Sequence, residues 1–304
     1  MKSVHLPAFA KINLCLHILG PRPDGYHELR TIFEAISLHD ELRVVPLRGR
    51  GIELAVKSSV ELSRADAAAL HGRDNLVWRA AEAMRRELGM RAGLRIELTK
   101  HIPVGRGLGG GSSDAAATMR GMLQLTGRRM PLERLIPIAA RLGADVPFFL
   151  FGGRALGVGR GDEIYPLPDG PKRSVVVVSP AGIAVSTREA YRWAGARLTK
   201  RSAPRKLWRF CALCWSPQGA GFVNDFEAAV FRRYPRLARI RRELLRRGAA
   251  EAALAGSGSA VFGVFPNPAQ ARRAAYGFPK DQVFIVETLS RDEYVRAAAG
   301  RPGE

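Results

Sequence analysis

Five glycines occupy the seven positions from Gly105 to Gly111, within Pro103-Val104-Gly105-Arg106-Gly107-Leu108-Gly109-Gly110-Gly111-Ser112-Ser113-Asp114. A run of small residues, Ala115-Ala116-Ala117-Thr118-Met119, follows at once and predicts a helix. Glycine tolerates positive φ and puts no side chain between its N–H and a ligand. A helix opening beside such a loop adds unpaired N–H groups and the positive end of its dipole, both of which favour an anion. A surface loop ahead of a capped helix is the plain alternative. Loop, hydroxyls and helix occur in register, which favours a phosphate cradle.

The commoner phosphate loops do not fit. Gly105-x-Gly107-x-x-Gly110 has the dinucleotide spacing, but that fingerprint follows a fully buried parallel strand and precedes an acid by about 20 residues. Here Leu94-Arg95-Ile96-Glu97-Leu98-Thr99-Lys100 alternates apolar and polar, as a half-exposed strand of an antiparallel sheet does. The next acid after Asp114 is Glu133. No lysine closes the loop as in a P-loop, and the His-Arg-Asp and Asp-Phe-Gly sequences of protein kinases are absent.

Length and charge bound the rest. A chain of 304 residues, 46% of them hydrophobic, can bury a sizeable core, most simply as two lobes. No apolar run approaches the ~20 residues of a membrane helix. Ile12–Leu19 is short, is interrupted by Asn13 and His17, and lacks a cleavage site of small residues. A cytoplasmic protein without a membrane partner is expected. Three cysteines fit a reducing compartment. Cys211-Ala212-Leu213-Cys214 has C-x-x-C spacing but no second pair or nearby histidine, so it reads as packed core rather than a metal site.

The net charge of +20 is concentrated in Arg188–Arg209 and Arg232–Arg247. Arg239–Arg247 reads as an amphipathic helix with a solvated basic face and no interleaved aromatics. No specific nucleic-acid partner is expected, and the positive field suits anionic substrates.

Residues 4–57 read as short strands, with turns at Gly20–Gly25 and Arg48–Gly51. A helix is predicted at Asn75–Leu88 with Asp74 as cap, then the Leu94 strand, a helix to about Leu125 and another near Leu132–Leu142. The cluster Pro166-Leu167-Pro168-Asp169-Gly170-Pro171 is the candidate boundary, giving an N-terminal domain over 1–165 and a C-terminal domain over 166–304. Beyond it come a buried strand at Val175–Ser179 and helices at Thr187–Ala196, Phe226–Arg233 and Leu237–Arg247. A strand at Glu251–Leu254 leads to a second glycine turn, Gly256-Ser257-Gly258-Ser259, and to the strand ending at Phe265. A helix at Ala269–Ala275 and a strand at Gln282–Thr288 close the chain. Strands and helices mixed without strict βαβ alternation predict an α+β fold.

Three further segments carry chemistry. In Ala8-Phe9-Ala10-Lys11-Ile12-Asn13-Leu14 the alternation of a strand puts a lysine and an amide on one face. Lys11 taken alone reads equally well as a residue snorkelling at a sheet edge. Leu142-Gly143-Ala144-Asp145-Val146-Pro147 holds a lone carboxylate in apolar surroundings, where Asp before Val-Pro also suits a helix N-cap. Asp24-Gly25-Tyr26-His27-Glu28 is a turn exposing an aromatic ring and an imidazole.

Together with Asn224-Asp225-Phe226-Glu227 and the second glycine turn, these segments resemble the GHMP kinase family over nearly the whole chain. The resemblance implies a two-lobed fold, with an N-terminal ATP-binding lobe and a C-terminal α/β sandwich lobe. It implies transfer of the ATP γ-phosphate, with Mg²⁺, to a hydroxyl of a small alcohol. The Lys11, Tyr26-His27 and Gly143–Pro147 segments point to a cytidine-diphosphate-linked methylerythritol; homoserine or mevalonate would be the alternative acceptor within the family.

By the same resemblance Asp145 is the general base and Lys11 its partner, and Pro103–Ser113 holds the triphosphate. Ser112 or Ser113 would contact phosphate or Mg²⁺. Tyr26 and Tyr191 would stack on the cytosine, His27 would hydrogen-bond its edge, and Asn13 and Thr187 would position the polar tail. The protein is expected as a monomer or homodimer. Three departures stand out: Arg106 where glycine or alanine is usual, either pointing outward or adding a phosphate contact; Ala255 where a hydroxyl residue often stands; and an arginine- and tryptophan-rich Leu198–Pro217.

Overall fold

The two longest elements are β1 (Val4–Pro21) and β2 (His27–Leu47), an antiparallel hairpin closed by the Arg22–Tyr26 turn. The computed structural model describes residues 3–62, 64–195, 210 and 221–302. Where short strands were expected, pairing continues through register shifts between Phe9/Ala10, Asn13/Cys15 and Ile18/Gly20. Each shift bends the strand without ending it, so turn-like residues fall inside one long ribbon. Every residue from Ala8 to Ile18 is buried, because β1 is covered on both faces.

The first sheet runs β12 (Arg301–Pro302), β1, β2, β4 (Gly93–Lys100), β3 (Ile52–Ser58). A branch of β5 (Arg154–Gly159) and β6 (Glu163–Pro166) leaves β2, and β8 (Val223–Asn224) joins β1. The strand before the glycine loop, β4, is antiparallel to β2 and parallel to β3. The second sheet, β11 (Gln282–Glu287), β7 (Ser174–Ser179), β10 (Val261–Phe265), β9 (Glu251–Leu254), is antiparallel throughout. It lies wholly beyond residue 166, whereas β8 and β12 return to the first sheet. The architecture is α+β, as expected.

Helices on the first sheet are α1 (Arg64–His71), α2 (Leu76–Glu87), α3 (Gly110–Thr126), α4 (Leu132–Leu142) and the single turn α5 (Phe148–Phe151). Then come α6 (Thr187–Gly195), α7 (Glu227–Arg233), α8 (Pro235–Arg246), α9 (Pro268–Ala275) and α10 (Arg291–Ala298). The cap of α2 is Asn75 rather than the expected Asp74; the Asn75 carboxamide oxygen accepts from Val77 N at 2.8 Å. As expected, α8 is amphipathic, burying Leu237, Ile240 and Leu244. Its basic side is partly consumed internally: Arg246 and Arg247 donate to Glu243, and Arg241 donates to Ala252 O. The Cys211–Cys214 pair and all of Leu198–Pro217 except Phe210 lie outside the described residues, as do positions 196–209 of the arginine-rich stretch.

The small residues of α3 have a packing reason. A side chain at Gly121 would sit 2.9 Å from both Leu6 and Val44, so the helix lies directly on β1 and β2. Ala115, Ala116 and Ala117 are fully buried in the same layer. Between the sheets, Ala10, Ile12, Ile32 and Ile36 share one apolar cluster with Val175, Val177, Phe262 and Val264. That shared core fixes the two lobes against each other.

Candidate active site

The glycine loop crosses that cleft. Gly105, Gly107 and Gly109 all take positive φ, at 67°, 81° and 75°, a conformation that disfavours any side chain. Two of the three are also sterically compelled. A Cβ at Gly107 would lie 1.9 Å from Ala255 O, and one at Gly109 would lie 2.7 Å from the Phe149 ring. Gly107 thus presses on the second glycine turn of the other lobe. The Lys11 N–H donates to Leu108 O at 3.0 Å and staples the loop to β1. Helix α3 opens at Gly110 with no side-chain cap, leaving its first-turn N–H groups beside the cleft.

The cleft has a volume of about 650 Å³. Its wall holds Lys11, Asn13, Tyr26, Pro103 through Ser112, Asp145, Thr187 and Tyr191 together. Two residues named from the sequence do not reach the wall. Ser113 is fully buried with its hydroxyl unpartnered among the described residues, and its N–H donates to Gly109 O at 2.9 Å. His27 lies behind Tyr191, its ring stacked on the tyrosine at 4.8 Å and 21°.

Lys11 is fixed by a relay. Its Nζ donates to Asn13 Oδ1 at 2.8 Å, Asn13 Nδ2 donates to Thr31 Oγ1 at 2.8 Å, and Thr31 Oγ1 donates to Cys15 O at 2.7 Å. The ammonium also lies 5.5 Å from the Phe33 ring centre. It is buried rather than snorkelling, and the remaining charge partner is Asp145 Oδ2 at 3.4 Å. Asp145 does not cap α5; Pro147 takes that position without a side-chain bond. Its carboxylate is 35% exposed, which leaves it open to the cleft while paired.

At the other end, Tyr26 is 53% exposed, with the Arg160 guanidinium 4.8 Å from its ring centre. Tyr191 packs edge-on to Phe226, and burial pushes its phenol well above its ordinary pKa. Burial also pulls the His27 imidazole below its ordinary value. Thr187 Oγ1 and Ser257 Oγ share a hydrogen bond of 3.0 Å that ties the start of α6 to the second glycine turn.

Several contributors had no separate signal in the sequence. Lys100 bridges Asp40 and Asp114 in a fully buried triad beneath the loop, 2.7 Å from Asp114 Oδ2. Burial alone would lower the Lys100 ammonium, but Asp114 and Asp40 hold it above its usual range. Burial in turn pushes the Asp114 carboxyl well up against the pull of Lys100. Asp40 accepts the N–H groups of His101 and Ile102 and so anchors the start of the loop. Asn224, Asp225 and Glu227 also have structural tasks. The Asn224 amide donates to Leu254 O and Gly256 O, Asp225 accepts from Ile18 N, and Glu227 accepts from Leu254 N. Those bonds hold the second glycine turn against the first sheet.

No group of three His, Cys, Asp or Glu side chains among the described residues is placed to hold a metal. Ser112 and Asp145 do share the cleft wall. That donor set suits Mg²⁺, which takes one or two protein oxygens and completes its shell from phosphates and water.

Residues 75–153 match the GHMP kinases N terminal domain and residues 211–282 match the GHMP kinases C terminal domain. The 4-diphosphocytidyl-2-C-methyl-D-erythritol kinase of Solibacter usitatus is 45% identical over 298 residues, covering 96% of this chain and 91% of the relative. That of Geobacter metallireducens is 39% identical, covering 94% and 98%. A crystal structure of 4-(cytidine 5'-diphospho)-2C-methyl-D-erythritol kinase superposes with a TM-score of 0.76 at 34% identity, covering 93% and 98%. Homoserine kinase from Cytophaga hutchinsonii superposes at 0.75 with 18% identity, covering 99% and 97%, and so shares the fold. The chain belongs to the GHMP kinase family.

Proposed function

We propose that the protein transfers the γ-phosphoryl group of ATP to the 2-hydroxyl of 4-diphosphocytidyl-2-C-methyl-D-erythritol, a step in making isoprenoid precursors. The observation that carries this reading is the 45% identity, sustained along nearly the whole chain, to a kinase of that name. The cleft's composition supports it, since a glycine cradle, a Lys–Asp pair, the exposed Tyr26 and the half-buried Tyr191 line one volume.

The triphosphate lies along Gly105–Ser112, where N–H groups and the opening of α3 meet its charge. The acceptor hydroxyl approaches Asp145, which takes its proton as the oxygen attacks the γ-phosphorus and ADP departs. Lys11 offsets charge on the acceptor oxygen and the transferring group, held on aim by Asn13 and Thr31. When bound, Mg²⁺ would be held by Ser112, Asp145 and phosphate oxygens, and would neutralise phosphate charge. Tyr26 and Tyr191 give the cytosine stacking surfaces, and His27, off the cleft wall, backs the Tyr191 ring.

The test is label transfer. Purified protein given γ-labelled ATP and the cytidine-diphosphate-linked acceptor yields labelled phosphomonoester and one ADP per product. Label released only as inorganic phosphate would overturn the proposal.

A further inference from the structure

Four cations line the cleft: Lys11, Lys100, Arg106 and Arg160. Three of them are engaged by carboxylates, Lys11 by Asp145, Lys100 by Asp40 and Asp114, and Arg160 by Asp162. Arg106 differs. No described carboxylate lies within ion-pair distance of it, and its one side-chain hydrogen-bond partner among the described residues is neutral, Ser259 Oγ at 3.0 Å from Nη1. It is half-buried, and it sits at the crown of the loop between two glycines in the left-handed region. A guanidinium carries five donors in a planar fork suited to phosphate oxygens.

We infer that Arg106 is a nucleotide-phosphate ligand, exchanging its contact with Ser259 for oxygens of the ATP polyphosphate. The inference rests on the kinase reading of the cleft and extends it to a side chain of the loop. The backbone supports this placement. Arg106 O accepts from Ala260 N at 3.1 Å, and Gly107 abuts Ala255, so the loop crown is held while the side chain can turn. Partial burial lowers the guanidinium from its ordinary pKa, with Asp66 pulling the other way; a desolvated cation gains more from an anionic partner than one already hydrated. The loop lacks the closing lysine of a P-loop, so Arg106 would supply the missing cation.

The competing possibility is a latch that only ties the lobes through Ser259. Calorimetric titration of ATP, ADP and AMP separates the two. As a phosphate ligand, Arg106→Ala weakens ATP and ADP by about 10- to 100-fold, the range of a charge-assisted bond, and leaves AMP within about twofold. Arg106→Lys recovers part of the loss, and Ser259→Ala, which severs the latch, keeps wild-type ATP affinity. Equal ATP affinity in wild type and Arg106→Ala overturns the assignment, as does Ser259→Ala reproducing the full loss. A wild-type protein that binds no ATP overturns the kinase reading itself, and this inference with it.

Discussion

At the scale of single residues, the proposed mechanism turns on the 3.4 Å approach of Lys11 and Asp145. Asp145→Asn keeps the size and leaves Lys11 bonded to Asn13, so the fold should survive. Turnover should not: loss of a general base lowers kcat by about 10²- to 10⁴-fold. Steady-state kinetics beside a thermal melt checks this, with kcat falling and the melting temperature unchanged.

His27 makes a pH-dependent prediction. Burial holds its pKa below the ordinary 6.5, so the imidazole is neutral at pH 7 and gains a proton only at more acidic pH. A proton gained there charges the ring stacked on Tyr191, so on the proposed reading acceptor KM is flat at neutral pH and climbs in acid, below the ordinary imidazole range. His27→Gln, which cannot titrate, should remove the acid-side climb while leaving the kcat profile in place.

Residue types were legible where chemistry demands them. The glycines announce themselves, because missing side chains are costly unless used, while Lys11, Asn13 and Asp145 took their roles from the family resemblance. The buried triad of Asp40, Lys100 and Asp114 was not legible, because its members stand up to 74 positions apart and meet only in the fold. The N-cap reading of Asp145 failed for a related reason: local spacing suits a cap, while the distant Lys11 claims the carboxylate.

At the scale of elements, the glycine loop is shaped as much by its neighbours as by any ligand. Gly107→Ala puts a methyl group against Ala255 O and forces positive φ on an L residue. The expected outcome is a loop displaced from the second glycine turn, with ATP affinity down at least tenfold. Gly105→Ala meets the same φ but open space, so it should cost less. Calorimetric ATP titration of the two variants checks the order.

The helices were mostly legible through apolar periodicity and caps. α10 was missed although Ser290 and Glu293 form a capping box. The long hairpin was missed because bulges keep strands paired through residues that look like turns. Asn224, Asp225 and Glu227 could be quoted as a motif, but their task of bracing the second glycine turn depends on partners 27 to 208 positions away.

For the whole molecule, the two sheets share one apolar cluster, and β8 and β12 return from beyond residue 166 to the first sheet. The lobes are therefore expected to unfold together. Differential scanning calorimetry should give a single transition with matching calorimetric and van't Hoff enthalpies. Two separated transitions would show that the shared core contributes little.

Selectivity is also a property of the whole cleft, because on the proposed reading the glycine cradle holds ATP whatever the acceptor, while Tyr26 and Tyr191 face the acceptor. Measuring kcat/KM for the cytidine-diphosphate-linked acceptor, homoserine and mevalonate side by side tests this most directly. Turnover of the cytidine-linked acceptor at least a thousandfold more efficient than either small alcohol, with Tyr191→Ala raising its KM, is the expected result; the stacking contacts a small alcohol lacks are each worth about 1–3 kcal/mol. Equal or better turnover of homoserine or mevalonate would contradict the account.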